Sequence, residues 1–155
     1  MSETFESDPE SERLMTFEVA GTTYALPIAD VLEVLEQAGM NCVPRLPKEQ
    51  GGVLNWHGEA LTVVAPHLLL GGEPIARRGA EEVQQFLVVS DRNDSSMQLG
   101  LPIDCVTALT FGEPLLARGD EVVVERRPID GRVVNIINPQ RLVARAAEII
   151  ERAVA

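Results

Sequence analysis

The stretch Gly52-Val53-Leu54-Asn55-Trp56-His57-Gly58-Glu59-Ala60-Leu61-Thr62-Val63-Val64 decides the fold class. Two runs rich in Val, Leu and Thr flank a His57-Gly58 step, and a glycine at a two-residue break is the signal of a β-hairpin. The flanking sequence repeats the pattern. Residues 14–20 alternate imperfectly, Gly21-Thr22-Thr23 turns, and Tyr24-Ala25-Leu26-Pro27-Ile28 runs back, with Pro27 limiting the strand because proline donates nothing to a ladder. Residues 30–35 fit one helical turn or a strand, and their length does not decide between them. Pro44 and Pro47 mark a loop over 43–51. Pro66 opens a short helix through Leu70, which Gly71-Gly72 ends.

Beyond a polar linker (73–82), residues 86–89, 98–103, 106–109, 122–124 and 132–137 read as further short strands. A loop is expected over 91–96, and Asp130-Gly131 turns into the last strand. Only the end reads clearly as helix. Leu142, Val143, Ala146, Ile149, Ile150 and Val154 recur near 3.6 spacing, with Asn138 as cap and Pro139 as first residue, so a helix over about 139–153 is expected. Nine or ten strands with turn signals between them predict a mainly all-β protein of small barrels or a sandwich. The strand–helix alternation of a parallel α/β sheet is absent.

Composition narrows the function. At 155 residues the chain fits one domain, or two small ones sharing a core. The hydrophobic share of 45% fills an interior, but the aromatic share is only 4%, so branched aliphatics must do the packing. The formal charge of −11 argues against nucleic acid and anionic lipid, both of which need clustered Lys or Arg, and favours a protein partner. Residues 1–13 are acidic and polar and are expected to form a disordered tail, with the folded domain spanning 14–155. Cys42 and Cys105 lie in apolar surroundings outside any CxxC, and are expected to be reduced and packed. Neither a signal peptide nor an apolar run of about 20 residues is visible, so the expected location is cytoplasmic.

Chemistry is mostly missing. His57 and His67 are the only histidines and fit no metal-ligand spacing. Nucleotide-binding glycine motifs and a nucleophile elbow are also absent. Asp30, Glu33 and Glu36 read as a solvated acidic edge rather than a general acid/base pair. Trp56, the single tryptophan, suits either an interaction hot spot or a half-buried structural ring. The expectation is a binding module with no catalytic, cofactor or metal site.

Four segments carry a resemblance. Gly21 to Ile28 followed by Val31-Leu32-Glu33-Val34 is similar to the opening “G…YALPI..V.EV” of the CheW family, and residues 52–64 to its “GV.NLRG..VPVIDL”. Residues 100–106 resemble “VGLLVD.V”, and residues 130–137 the closing “.GRLVILLD”. The likeness runs in order over about 14–143. It implies two intertwined five-stranded β-barrels with a C-terminal α-helix, acting as a non-catalytic adaptor in bacterial chemosensing. The implied partners are the regulatory domain of a CheA-type histidine kinase and the signalling tip of a methyl-accepting chemoreceptor, the latter seated in a groove between barrels. Carried over by position, the partner-binding residues are Ile28, Val31, Glu33, Phe86, Leu87, Gly100 and Leu109, with Trp56 and His57 at the hairpin tip. Three departures stand out: His57 replaces the arginine of “NLRG”, Ala65 replaces an acid, and Asn138 interrupts the closing “LLDL”.

Overall fold

The computed structural model describes residues 12–38, 50–74, 83–91, 94–113 and 121–154. Among them are ten strands: β1 (Glu12–Val19), β2 (Thr22–Pro27), β3 (Val31–Ala38), β4 (Gly51–Trp56), β5 (Glu59–Val64), β6 (Val83–Asp91), β7 (Asp94–Ile103), β8 (Cys105–Gly112), β9 (Val123–Ile129) and β10 (Arg132–Ile137). Two helices, α1 (Pro66–Leu70) and α2 (Pro139–Val154), and a 3-10 turn at Ile28–Asp30 complete the described chain. The strands form two five-stranded sheets, ordered β8-β1-β2-β10-β9 and β3-β6-β7-β5-β4. Both ends of the chain build the first sheet and the middle builds the second, which gives the intertwined, mainly all-β architecture with a C-terminal helix that the sequence predicts. The second sheet is a half-barrel.

Three hairpins share one turn chemistry. Ala20-Gly21, His57-Gly58 and Asp130-Gly131 all adopt positive φ, at 50° and 83°, 52° and 84°, and 50° and 80°. Positive φ at both central residues matches the right-handed twist of the flanking strands, and glycine carries the second position without strain. The first turn therefore lies one residue earlier than expected, because the β-branched Thr22 and Thr23 belong to β2.

The interior has three parts. Leu14, Ala25, Val134 and Ile136 fill the first curled sheet. Leu35, Leu54, Leu61, Val63, Phe86 and Val88 fill the second. Between them lies a shared core of Phe17, Tyr24, Leu26, Leu87, Val89, Leu99, Leu101 and Ile103, covered by Leu142, Val143 and Ala146 of α2. Phe86-Leu87-Val88-Val89 is continuously apolar for this reason. Successive side chains of a strand point to opposite faces, and both faces of β6 are buried. Asn138 caps α2 as expected, its Oδ1 accepting the Gln140 and Arg141 amides at 2.9 and 3.3 Å.

Elsewhere the structure corrects the sequence. Residues 31–35 are strand, entered through the 3-10 turn. Hairpin pairing takes up much of the expected 91–96 loop, since β6 runs to Asp91 and β7 starts at Asp94. The short apolar run at 122–124 grows into β9, which tolerates Pro128 because it is an edge strand. Cys105 is exposed rather than packed, since it opens β8, another edge strand, where residues 105, 107, 109 and 111 are all exposed. Glu12 and Arg13 already belong to β1. The rest of the expected tail (1–11), Cys42 and most of the 43–51 loop lie outside the described residues.

Among the described residues neither ladder closes on itself. In the first sheet, Arg127 of β9 reaches across the opening: its Nη1 donates to the Glu113 carbonyl, just past β8, at 3.0 Å. The same guanidinium holds Glu125 through Nε and Nη2 at 3.0 and 2.9 Å. Its side chain is 14% exposed and that of Glu125 38%, so the charge-assisted pair is partly shielded from water. Arg127→Ala should therefore lower stability in urea unfolding by about 2 kcal/mol. Arg127→Lys should restore only part of this, because an ammonium lacks the planar fork. Arg126→Ala, at an exposed position of the same strand, should stay within about 0.5 kcal/mol of the parent.

Candidate functional site

The opening of the second sheet lies between β3 and β4, and side chains bridge it. Asn55 prepares the β4–β5 turn by accepting the Gly58 amide on its Oδ1 at 2.9 Å. Leu54 and Trp56, two residues apart, both face the interior of the second sheet, and the half-buried indole packs against its core. From there the Trp56 Nε1–H donates to Glu33 Oε1 of β3 at 2.9 Å. His57 Nε2 meets the same oxygen at 2.8 Å. Farther along, Gln37 Nε2 donates to the Asn55 carbonyl at 2.9 Å.

A β-bulge makes this arrangement possible. Val31 pairs with Val89, but Glu33 pairs with Val88, which leaves Leu32 as the extra residue on β3. Val31 thus packs against the shared core, while Glu33, two residues on, aligns with the interior of the second sheet. Regular strand geometry would put both on one face. The carboxyl of Glu33 is held below the usual carboxylate range, first by the Trp56 hydrogen bond, then by that of His57, with the histidine's charge adding to them against a desolvation that raises it.

The nine residues singled out from the sequence fall into three places. Ile28, Val31, Glu33, Trp56 and His57 follow one another around the start of β3 and the end of β4 and are partly or fully accessible. Phe86 and Leu87 are buried on opposite faces of β6, and Gly100 is buried on β7 against Leu61 and Val63. Leu109 is on the other sheet, on β8 opposite Met15, and is 59% exposed. Of the departures, Ala65 precedes Pro66 and caps α1 through its carbonyl, which accepts the Leu68 amide at 3.1 Å, and Asn138 caps α2. His67 lies on α1, away from the β3–β4 turn region in sequence and element. Among the described residues no group of three or more His, Cys, Asp or Glu side chains is placed to hold a metal ion.

Sequence reasoning missed Gln37 and Arg127. The Glu33-Leu35-Gln37 alternation was the available signal for Gln37, because residues i, i+2 and i+4 of a strand share a face. Nothing local distinguishes Arg127 from Arg126. The exposed apolar residues Leu32, Val34 and Phe111 were also missed.

Two five-stranded sheets that share a core, with a C-terminal helix laid over it, place the chain in a mainly all-β class. A family model described as the CheW-like domain matches residues 13–147, and the chain belongs to that family. Among solved structures it is similar to the scaffolding protein TtCheW from Thermoanaerobacter tengcongensis. The identity is 23%, the match covers 82% of this chain and 88% of that one, and the TM-score is 0.62, a likeness of fold. No curated protein sequence matches the chain.

Two outcomes are expected. The stabilisation from Glu33 needs its carboxylate, and a depressed pKa makes that stabilisation present above the ordinary value of 4.5 and lost as pH falls through the lowered one. Glu33→Gln should therefore lower the urea midpoint at pH 7, and the two proteins should converge in acid once the Glu33 carboxylate is protonated in the folded state. Separately, a Cβ at Gly100 would sit 2.9 Å from Val63 Cγ2 and 3.1 Å from Leu61 Cδ2. Gly100→Ala should cost about 1–3 kcal/mol in the same measurement, through overpacking.

Proposed function

We propose that this protein is a non-catalytic scaffold of bacterial chemosensory signalling, coupling a chemoreceptor to a CheA-type histidine kinase. Membership of the CheW-like domain family is the observation that carries this reading. The accessible residues at the start of β3 and the tip of β4 support it, since they offer half-buried apolar and charged groups of the kind that bind proteins without a catalytic motif. The proposed partner surface comprises Ile28, Val31, Glu33, Trp56 and His57, with Leu109 on the neighbouring sheet. Phe86, Leu87 and Gly100 support it from inside. The proposed setting is the cytoplasmic face of a receptor array, and among the described residues no helix is long and apolar enough to cross a membrane.

A second reading rests on His57, which stands where the family resemblance expects arginine: an accessory protein that binds only one of the two partners. Titrating the chain separately against the kinase regulatory domain and a receptor signalling tip from the same genome separates the readings, because a scaffold binds both and bridges them in a ternary pull-down. Leu109→Asp alters an exposed side chain and should leave folding intact by circular dichroism. It should weaken at least one partner tenfold or more, about 1.4 kcal/mol. Val31→Asp should do the same by placing a carboxylate at an apolar contact. Undiminished affinity for both partners in both folded variants would remove this surface from the function.

A further inference from the structure

We propose that the β3–β4 opening of this chain is bridged by a protonation-dependent latch, with His57 as the residue that sets its strength. The proposal stands on the geometry of the opening and does not require the partners named above. Two donors converge on one oxygen, Glu33 Oε1: the Trp56 indole at 2.9 Å and the His57 Nε2 at 2.8 Å. The indole N–H is a permanent donor. The imidazole differs, because its bond to a carboxylate is that of a neutral donor in one protonation state and an ion pair in the other.

The surroundings leave His57 free to respond. Its side chain is 68% exposed, so a proton can come and go without rearrangement of the core. Its ring lies 5.5 Å from that of Trp56, in a tilted arrangement, so its charge is felt by the other donor of the latch. Glu33 remains ionised through the mildly acidic range because its own titration is held low. Two other acidic groups lie on the described parts of β3 and β5. Glu59 is exposed and follows the turn on β5, opposite Trp56 in register, and Glu36 of β3 is hydrogen-bonded by Gln85 of β6 at 3.3 Å.

The direction follows from these facts. On mild acidification the neutral His57–Glu33 hydrogen bond becomes charge-assisted and stronger, which draws the turn at the end of β4 more firmly onto β3. On alkalinisation the latch keeps Trp56 and Gln37 and loses the ion pair. In strong acid Glu33 itself takes a proton and the latch fails. The opening is thus tightest in a window bounded above by imidazole deprotonation and below by carboxylate protonation.

Trp56 is the only tryptophan, so its indole N–H resonance reports on the latch without ambiguity. The experiment follows that resonance by NMR in the intact protein from about pH 8 to about pH 5.5, the range in which histidines titrate. The expected result is a single sigmoidal shift, accompanied by slower exchange of the indole proton with water at the acidic end after correction for intrinsic rate. His57→Asn provides the neutral control, because Asn-Gly suits the same positive-φ turn. It should abolish the step, and His57→Arg should give a flat profile with slow exchange throughout. A pH-independent indole resonance in the parent protein, or a step of full size that persists in His57→Asn, overturns the proposal.

Discussion

The structure depends on how a curled five-stranded sheet disposes of its two edges. Among the described residues, hydrogen-bonded ladders run β8 to β9 and β3 to β4 and then stop, leaving two openings without backbone pairing. Side chains bridge both. Arg127 holds Glu125 on its own strand and extends one nitrogen to the Glu113 carbonyl across the first opening. In the second, Glu33 receives donors from Trp56 and His57, and Gln37 donates to the Asn55 carbonyl. Unpaired strand edges invite association with other chains, and bridging them with charged and polar side chains blunts that tendency while keeping the edge specific.

The two bridges differ in exposure, and so in what they can do. Arg127 is largely enclosed, and its multidentate bonds suit a fixed element. Glu33 and His57 stand in solvent, where a single ion pair adds little to stability. Conformational control at an accessible surface is the better account of the second bridge. Trp56 links the two regimes, since its ring rests on the core formed by Leu35, Leu54 and Phe86 while its nitrogen reaches the exposed carboxylate.

The legible parts of the fold were those governed by local chemistry. The His57-Gly58 and Asp130-Gly131 turns, the Pro66 helix start, the Asn138 cap and the start of α2 depend on neighbours in sequence and were found where expected, and the first turn was displaced by one residue. Long-range order was harder to read. Phe86 and Leu87 look alike as adjacent apolar residues of one strand, yet they enter different cores, and only the arrangement of both sheets with α2 separates them. Glu33, Trp56 and His57 were singled out by resemblance and residue type, but their convergence on one oxygen required the bulge at Leu32, which no local pattern announces. Cys105 misled for the same reason: its apolar neighbours in sequence are buried on β7, while it starts an exposed edge strand.

A bulge is a costly way to place one carboxylate, since it leaves Leu32 51% exposed and interrupts the β3–β6 ladder. Its effect is to divide three consecutive residues among three environments. Val31 packs on the shared core, Leu32 faces solvent, and Glu33 meets the end of β4. The start of β3 is therefore mechanically tied to both the shared core and the second opening. Val31 packs on the cluster that includes Val89 and Leu87 and the Leu142, Val143 and Ala146 side chains of α2.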